Sequence, residues 1–149
     1  RVWNSIESIC FEKEIVNGIF LNIQKDENSY IFGVMIKISE EEFEVLKLRE
    51  KNYSCVTIKK EDTFNQNLDE DLIAFMTTKD DKIAKIGQEN CFIPSRYIQI
   101  VKEGVKNFSK EFQDNFEDIF SNFPFEIKDG IYTFSDPIQN QAAKNSEKL

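Results

Sequence analysis

The chain has 149 residues, with 19 Lys and Arg against 27 Asp and Glu, and a formal net charge of −8. It contains no histidine, which excludes Ser-His-Asp and Cys-His nucleophile systems, HExxH metal sites and any imidazole proton shuttle. An enzyme made from this chain has to move protons with a carboxylate, a lysine, a tyrosine or a thiol. The acidic balance argues against nucleic acids and anionic membranes as partners, because both need a basic surface.

The length and composition indicate one folded domain. Hydrophobic residues make up 40% of the chain and include 14 phenylalanines, enough to form a core in a domain of this size. We expect a single domain over residues 1–138 and a flexible polar tail over residues 139–149. The chain has no apolar run of about 18 residues and no signal-peptide pattern, so we expect a cytoplasmic protein without a membrane partner, either a monomer or a homodimer.

Apolar and β-branched runs predict the strands of the first half. They cover residues 15–23, 30–38, 53–58 and 72–78. The 30–38 run is apolar on both alternating faces, which is typical of a central strand. Ser39 and Glu42 then form a capping-box pattern that predicts a short helix ending near residues 49–52. Residues 61–71 are predicted to form an exposed hairpin loop, and residues 79–91 a charged loop.

Longer helices are predicted in the second half. Pro94 and Ser95 open a helix with one apolar stripe, formed by Tyr97, Ile100, Val101, Gly104, Val105 and Phe108. Ser109 can cap the next helix, and Asp129-Gly130 predicts a hairpin turn between short strands within residues 126–133. Because strands come early and helices late, we predict an α+β fold in which helices pack on a mixed, mostly antiparallel sheet.

Two segments of the chain resemble the gamma-glutamylcyclotransferase-like family. In the first, Gly33-Val34 leads through the Ser39-capped helix to Glu50 and then to a strand that begins at Tyr53. In the second, Pro94-Ser95-Arg96-Tyr97 opens a helix that reaches Gly104. The order and spacing of these segments match the family over roughly residues 1–120. The resemblance implies a small mixed β-barrel or curved sheet flanked by helices.

The resemblance also implies a reaction that needs no histidine. In this family the α-amine of a small γ-glutamyl substrate attacks its own γ-carbonyl, which forms 5-oxoproline and releases an amine. Glu50 matches the family's catalytic glutamate, the general acid and base, and Tyr53 and Tyr97 match tyrosines that line its pocket. No metal or cofactor is implied. The alternative is a solvated Glu50, with both tyrosines packed in the core and their hydroxyls satisfied nearby.

Three departures from the family pattern leave two other interpretations open. The family's Tyr-Gly-Ser loop is absent from the chain: either it lies upstream of Arg1, which we expect, or the protein has lost it and cannot catalyse. Lys51 replaces the usual glycine and is placed to pair with Glu50, and Phe75 replaces a tyrosine common in relatives. A non-catalytic module that binds a metabolite or a protein on the same fold is therefore the second hypothesis. A generic acidic α+β interaction domain is the third, and the absence of a cavity near Glu50 would favour it.

Overall fold

The computed structural model of the protein describes residues 1–64 and 67–146. Its strands are β1 (Val2–Phe11), β2 (Glu14–Asn22), β3 (Ser54–Ile58), β4 (Leu72–Met76), β5 (Cys91–Pro94), β6 (Glu126–Lys128) and β7 (Tyr132–Phe134). Its α-helices are α1 (Glu40–Arg49), α2 (Ser95–Val105), α3 (Lys110–Ser121) and α4 (Pro137–Ser146). Short 3₁₀ turns cover Lys60–Asp62 and Asp80–Lys82.

The strands form two sheets, which confirms the α+β class. The larger sheet has five strands in the order β6-β5-β2-β1-β7, and β3 pairs with β4 in a separate two-stranded sheet. The pairs β1–β2, β1–β7 and β3–β4 are antiparallel, whereas β2–β5 and β5–β6 are parallel. Over residues 1–64 and 67–146 these sheets do not close into a barrel.

The core lies between the five-stranded sheet and the helices α2 and α3. Ile19 and Ile93 are completely buried on neighbouring strands and join a cluster with Ile98 of α2 and Ile119 of α3. A smaller cluster forms around Ile9, Phe20 and Phe92. Burial of these side chains supplies the main driving force for packing the helices on the sheet.

A polar contact joins the two sheets at the end of β4. The Thr77 side chain lies 2.6 Å from the hydroxyl of Ser5 on β1, and the Thr77 backbone N–H donates to Asn22 Oδ1 at 2.9 Å. All three residues are buried. Because buried polar groups need such partners, the small sheet is held at a defined position beside β1 and β2.

The strand predicted over residues 30–38 is wrong. These residues lie outside both sheets, and the side chains of Val34 and Ile36 are 53% and 70% exposed. Alternating apolar residues form a strand only where a neighbouring backbone supplies the hydrogen bonds. This segment has another kind of contact, from the Phe32 backbone N–H to Asn115 Oδ1 at 3.0 Å.

The hairpin predicted around Asp129-Gly130 is also wrong, although strands flank the turn as expected. β6 and β7 lie at opposite edges of the five-stranded sheet, where β6 pairs with β5 and β7 with β1. Gly130 instead lets the chain pass the ring of Phe11, because a Cβ atom there would lie 2.3 Å from Phe11 Cζ. The glycine therefore serves a close approach between backbone and ring rather than a two-residue turn.

The close approach at Gly130 gives the first testable prediction. We expect Gly130→Ala to lower the free energy of unfolding by about 1–3 kcal/mol, because the added methyl group overpacks against Phe11. Gly104→Ala is the matched control, since Gly104 lies in α2 with no atom within 4 Å of an added Cβ, and a helical alanine should stabilise. Urea titration measures both. Equal effects of the two changes would contradict the prediction.

The predicted helix starts are confirmed. Ser39 Oγ accepts from the Glu42 backbone N–H while the Glu42 carboxylate accepts from the Ser39 N–H, and Ser109 caps α3. The stripe predicted for α2 is wrong at Ile100, which is 51% exposed, whereas Ile98 is buried. The helix faces the sheet with a side rotated from the predicted one.

Residues 137–146 form α4 rather than the expected polar tail. Gln139 and Ala142 are buried in it, so this stretch belongs to the folded domain. The rest of the predicted tail, residues 147–149, lies outside the described residues. No helix in the described part of the chain combines the length and the apolar character needed to cross a bilayer.

Candidate functional site

The turn that follows α1 places Glu50 and Tyr53. Glu50 is the C-terminal cap of α1, and its backbone N–H donates to the Leu46 carbonyl at 2.8 Å. The Tyr53 N–H then donates to the Glu50 carbonyl, also at 2.8 Å. These two hydrogen bonds hold the backbone in place from the end of α1 to the start of β3. They therefore set the positions from which the Glu50 and Tyr53 side chains extend.

Glu50 is partly buried and paired with its neighbour in sequence. Its side chain is 21% exposed, and Arg49 Nε lies 2.6 Å from Glu50 Oε1. The expected pairing of Lys51 with Glu50 is wrong, because Lys51 forms an ion pair with Asp136 just before α4. The guanidinium of Arg49 takes the place predicted for the ammonium of Lys51.

Tyr53 and Tyr97 come from distant parts of the chain, and the charge of Glu50 acts on both. Burial raises the pKa of both phenols well above the ordinary value, and the Glu50 carboxylate raises the pKa of each further. Tyr97 also raises the pKa of Tyr53. Glu50 and Tyr53 share one turn, and Tyr97 is linked to them through these long-range electrostatic effects.

Both tyrosine hydroxyls have partners within the protein. Tyr53 hydrogen-bonds to the Ser5 side chain, and Tyr97 to the backbone of Leu21. The Tyr97 ring packs edge-on against Phe20, with ring centres 4.7 Å apart. These contacts agree with the alternative in which the tyrosines are core residues. Phe75, at the position where the resembled family often has a tyrosine, lies with its ring 6.4 Å from that of Phe43 on α1.

Sequence reasoning missed a second carboxyl group at this site. Glu7 lies on β1 with only 2% of its surface exposed, and its Oε2 accepts from Asn52 Nδ2 at 2.6 Å. Its other oxygen, Oε1, is buried without a hydrogen-bond partner among the described residues. The missed signal is that polar Ser5 and Glu7 occupy alternating positions of β1 on the same face as Ile9, and all three are buried.

The surroundings of Glu7 favour its neutral form. Burial raises the pKa of Glu7, and the charge of Glu50 raises it further. The side-chain amides of Asn52 and Gln139 and the ammonium of Lys82 oppose that rise. Glu7 and Glu50 thus form a pair of carboxyl groups in unlike environments, one buried and one ion-paired.

Replacing Glu7 with glutamine should change how stability depends on pH. In the wild type, the raised pKa means that the folded state binds more protons than the unfolded state, so stability falls as pH rises from the unfolded pKa to the folded one. Glu7→Gln removes this loss. We expect the stability of the variant relative to wild type to rise with pH through that window and then level off.

The measurement is chemical denaturation at a series of pH values. Glu14→Gln is the control, because Glu14 is an exposed glutamate on the neighbouring strand, and its curve should follow that of the wild type. A Glu7→Gln curve that also runs parallel to the wild type would contradict the prediction.

Two surface pockets lie away from these residues. The first is lined by Arg96, Gln99, Ile100, Glu103, Gly104 and Asn107, on α2 and the turn after it. The second is lined by Arg1, Ser29, Tyr30, Ile31, Asn115, Asp118 and Ile119. Neither includes Glu50, Tyr53 or Tyr97. Within residues 1–64 and 67–146, no three potential ligands cluster in a way that could hold a metal ion.

In comparisons with known proteins, no family model, no curated protein and no solved structure matches this chain. The functional argument therefore depends on the site itself.

Proposed function

We propose that the protein is a gamma-glutamylcyclotransferase-like enzyme that converts a small γ-glutamyl amide into 5-oxoproline and a free amine. The observation that carries the proposal is that Glu50 and Tyr53 extend from one hydrogen-bonded turn, with the charge of Glu50 acting on the phenols of both Tyr53 and Tyr97. The family resemblance singles out these three positions, and they lie on two separate segments of the chain. A carboxylate and two phenols supply a proton acceptor together with groups that can orient a polar substrate.

The reaction requires little chemistry from the protein. Glu50 takes a proton from the substrate's α-ammonium, and the resulting amine attacks the γ-carbonyl carbon. A bond forms between the α-nitrogen and the γ-carbon, and the bond from that carbon to the leaving nitrogen breaks. Glu50 returns this proton to the leaving nitrogen, and the second proton that the α-nitrogen loses on becoming the lactam nitrogen also passes to the amine, which leaves as an ammonium ion. Because the nucleophile belongs to the substrate, the absence of histidine does not hinder this route.

The same proposal includes the barrel, the cellular location, the oligomeric state and the partners of the protein. The small barrel or curved sheet that the resemblance implies is part of this proposal, and the five-stranded and two-stranded sheets, joined at Thr77, would form it. The enzyme would act in the cytoplasm as a monomer or homodimer, without a cofactor, a nucleic acid or a membrane partner. Tyr53 and Tyr97 would contact the substrate from the side of β3 and of α2.

A second candidate is a non-catalytic module that binds a metabolite or a protein on the same fold. The ion pair between Arg49 and Glu50 favours it, because one oxygen of the proposed catalytic carboxylate is already bound to a cation of the protein. The hydrogen bonds already made by both tyrosine hydroxyls favour it as well.

An assay on a panel of γ-glutamyl amides separates the two candidates. The panel varies the leaving group among amino acids, alkylamines and cysteinylglycine, and 5-oxoproline release is measured beside binding by calorimetry. Turnover of at least one member supports the enzyme. Binding without turnover supports the module, and neither binding nor turnover contradicts both.

A further inference from the structure

Residues 50–53 form a turn that carries two of the proposed site residues, Glu50 and Tyr53. Asn52, which lies between them in sequence, connects this turn to the five-stranded sheet. Asn52 extends from the turn and donates from Nδ2 to Glu7 Oε2 on β1 at 2.6 Å. We infer that Glu7 is a positioning residue, which sets the location of Glu50 and Tyr53 for the reaction through its bond to Asn52. This inference rests on the proposed function and deepens it.

Glu7 is well placed to act as a fixed anchor. It lies in β1, which is hydrogen-bonded to β2 on one side and to β7 on the other. Its pairing partner on β2 is Gly18, and its chain neighbour Ile6 and nearby Ile9 are buried. A side chain held in this packed strand has little freedom to move, so its oxygen marks a fixed point to which a surface turn can be bound.

α4 holds the same turn from the opposite side. Lys51 forms an ion pair with Asp136, and Asn52 Nδ2 lies 3.4 Å from Gln139 Oε1. Asp136 also accepts from the Gln139 backbone N–H at 2.9 Å, which fixes the start of the helix. The pair of Asp136 with Lys51 is partly exposed, and exposed ion pairs contribute little. The bond from Asn52 to Glu7 is part-buried and ends on a fully buried residue, so it is the stronger of the two restraints.

Loss of this bond should affect turnover more than binding. Proton transfer depends on where the Glu50 carboxylate lies, and a displacement of about 1 Å can cost on the order of 100-fold in rate. Glu7 Oε1 has no hydrogen-bond partner among the described residues. Glu7 therefore acts on the turn through its other oxygen, Oε2, which accepts from Asn52.

The test compares Glu7→Ala, Glu7→Gln, Asn52→Ala and the Glu7→Ala/Asn52→Ala double variant in the 5-oxoproline assay. We expect Glu7→Ala and Asn52→Ala each to lower kcat by about 10- to 100-fold with KM changed by less than about threefold. Glu7→Gln keeps an acceptor for Asn52 and should retain kcat within about threefold of the wild type. The double variant should be no slower than the worse single variant, because both changes remove one bond.

Several results would overturn the inference. If circular dichroism shows that Glu7→Ala is unfolded, Asn52→Ala carries the test, because it removes the same bond from the partly exposed turn. Wild-type kcat in a folded Asn52→Ala variant contradicts the inference while leaving the proposed function intact. A Glu7→Gln variant as slow as Glu7→Ala contradicts it too, since the charge would then matter rather than the bond. A wild-type protein inactive on every amide defeats the proposed function, and the inference falls with it.

Discussion

Replacing Glu50 with glutamine is expected to lower kcat for 5-oxoproline release by about 10²- to 10⁴-fold, the range that a positioned general acid or base contributes. Glutamine has nearly the shape of glutamate but cannot take a proton from the substrate's α-ammonium. KM should change much less than kcat, because the proposed role of Glu50 is in proton transfer rather than in holding the substrate.

The control for this change is Glu41→Gln. Glu41 is an exposed glutamate in the first turn of the same helix that Glu50 ends, so its replacement changes the net charge equally without touching the site. Equal kcat values for wild type and Glu50→Gln would remove Glu50 from the mechanism. A comparable loss in Glu41→Gln would show that the effect comes from charge or from α1.

The largest expected effect on stability comes from Trp3. Its side chain is 4% exposed, and its indole Nε1 donates to the Ile119 carbonyl at 2.8 Å. The ring also packs against Tyr97 and Phe123, with ring centres 6.0 and 5.4 Å away. One residue of β1 therefore contacts α2, α3 and the segment after α3, and joins the sheet to its helical layer.

We expect Trp3→Ala to lower the free energy of unfolding by about 3–5 kcal/mol, since it leaves a large cavity and an unsatisfied carbonyl. The total free energy of unfolding of a domain of this kind is about 5–15 kcal/mol, so the variant should be only marginally stable. Trp3→Phe keeps most of the apolar area and should cost clearly less. Denaturation followed by circular dichroism measures both, and a loss under about 1 kcal/mol for Trp3→Ala would contradict the account of the core.

Local signals in the sequence predicted local structure well and pairing poorly. The capping box at Ser39 and the opening of α2 at Pro94 depend on neighbouring residues, and both are confirmed. Residues 30–38 and the Asp129-Gly130 turn depend on which backbone lies alongside, and both predictions are wrong. A strand forms only beside a partner strand that supplies hydrogen bonds. Which strand lies alongside is set by tertiary packing, which a short stretch of sequence does not reveal.

The candidate site was likewise predicted only in part from the sequence. Glu50, Tyr53 and Tyr97 were singled out by the family resemblance, and in the structure the charge of Glu50 acts on both phenols. Glu7 and Gln139 were missed, because only the position of β1 beside the turn and the folding of α4 make them buried neighbours of Asn52. An isolated glutamate in an acidic chain gives no signal, and Gln139 fell within the predicted polar tail.

The central claim is that the substrate's own amine is the nucleophile. The most direct measurement is mass spectrometry of the products formed from a γ-glutamyl amide in ¹⁸O-labelled water. The account predicts 5-oxoproline without ¹⁸O, released in equal amount with the free amine, and lost together with kcat in Glu50→Gln. Glutamate carrying ¹⁸O in its γ-carboxylate would contradict it, because water would then be the nucleophile, and so would the absence of any product across the panel.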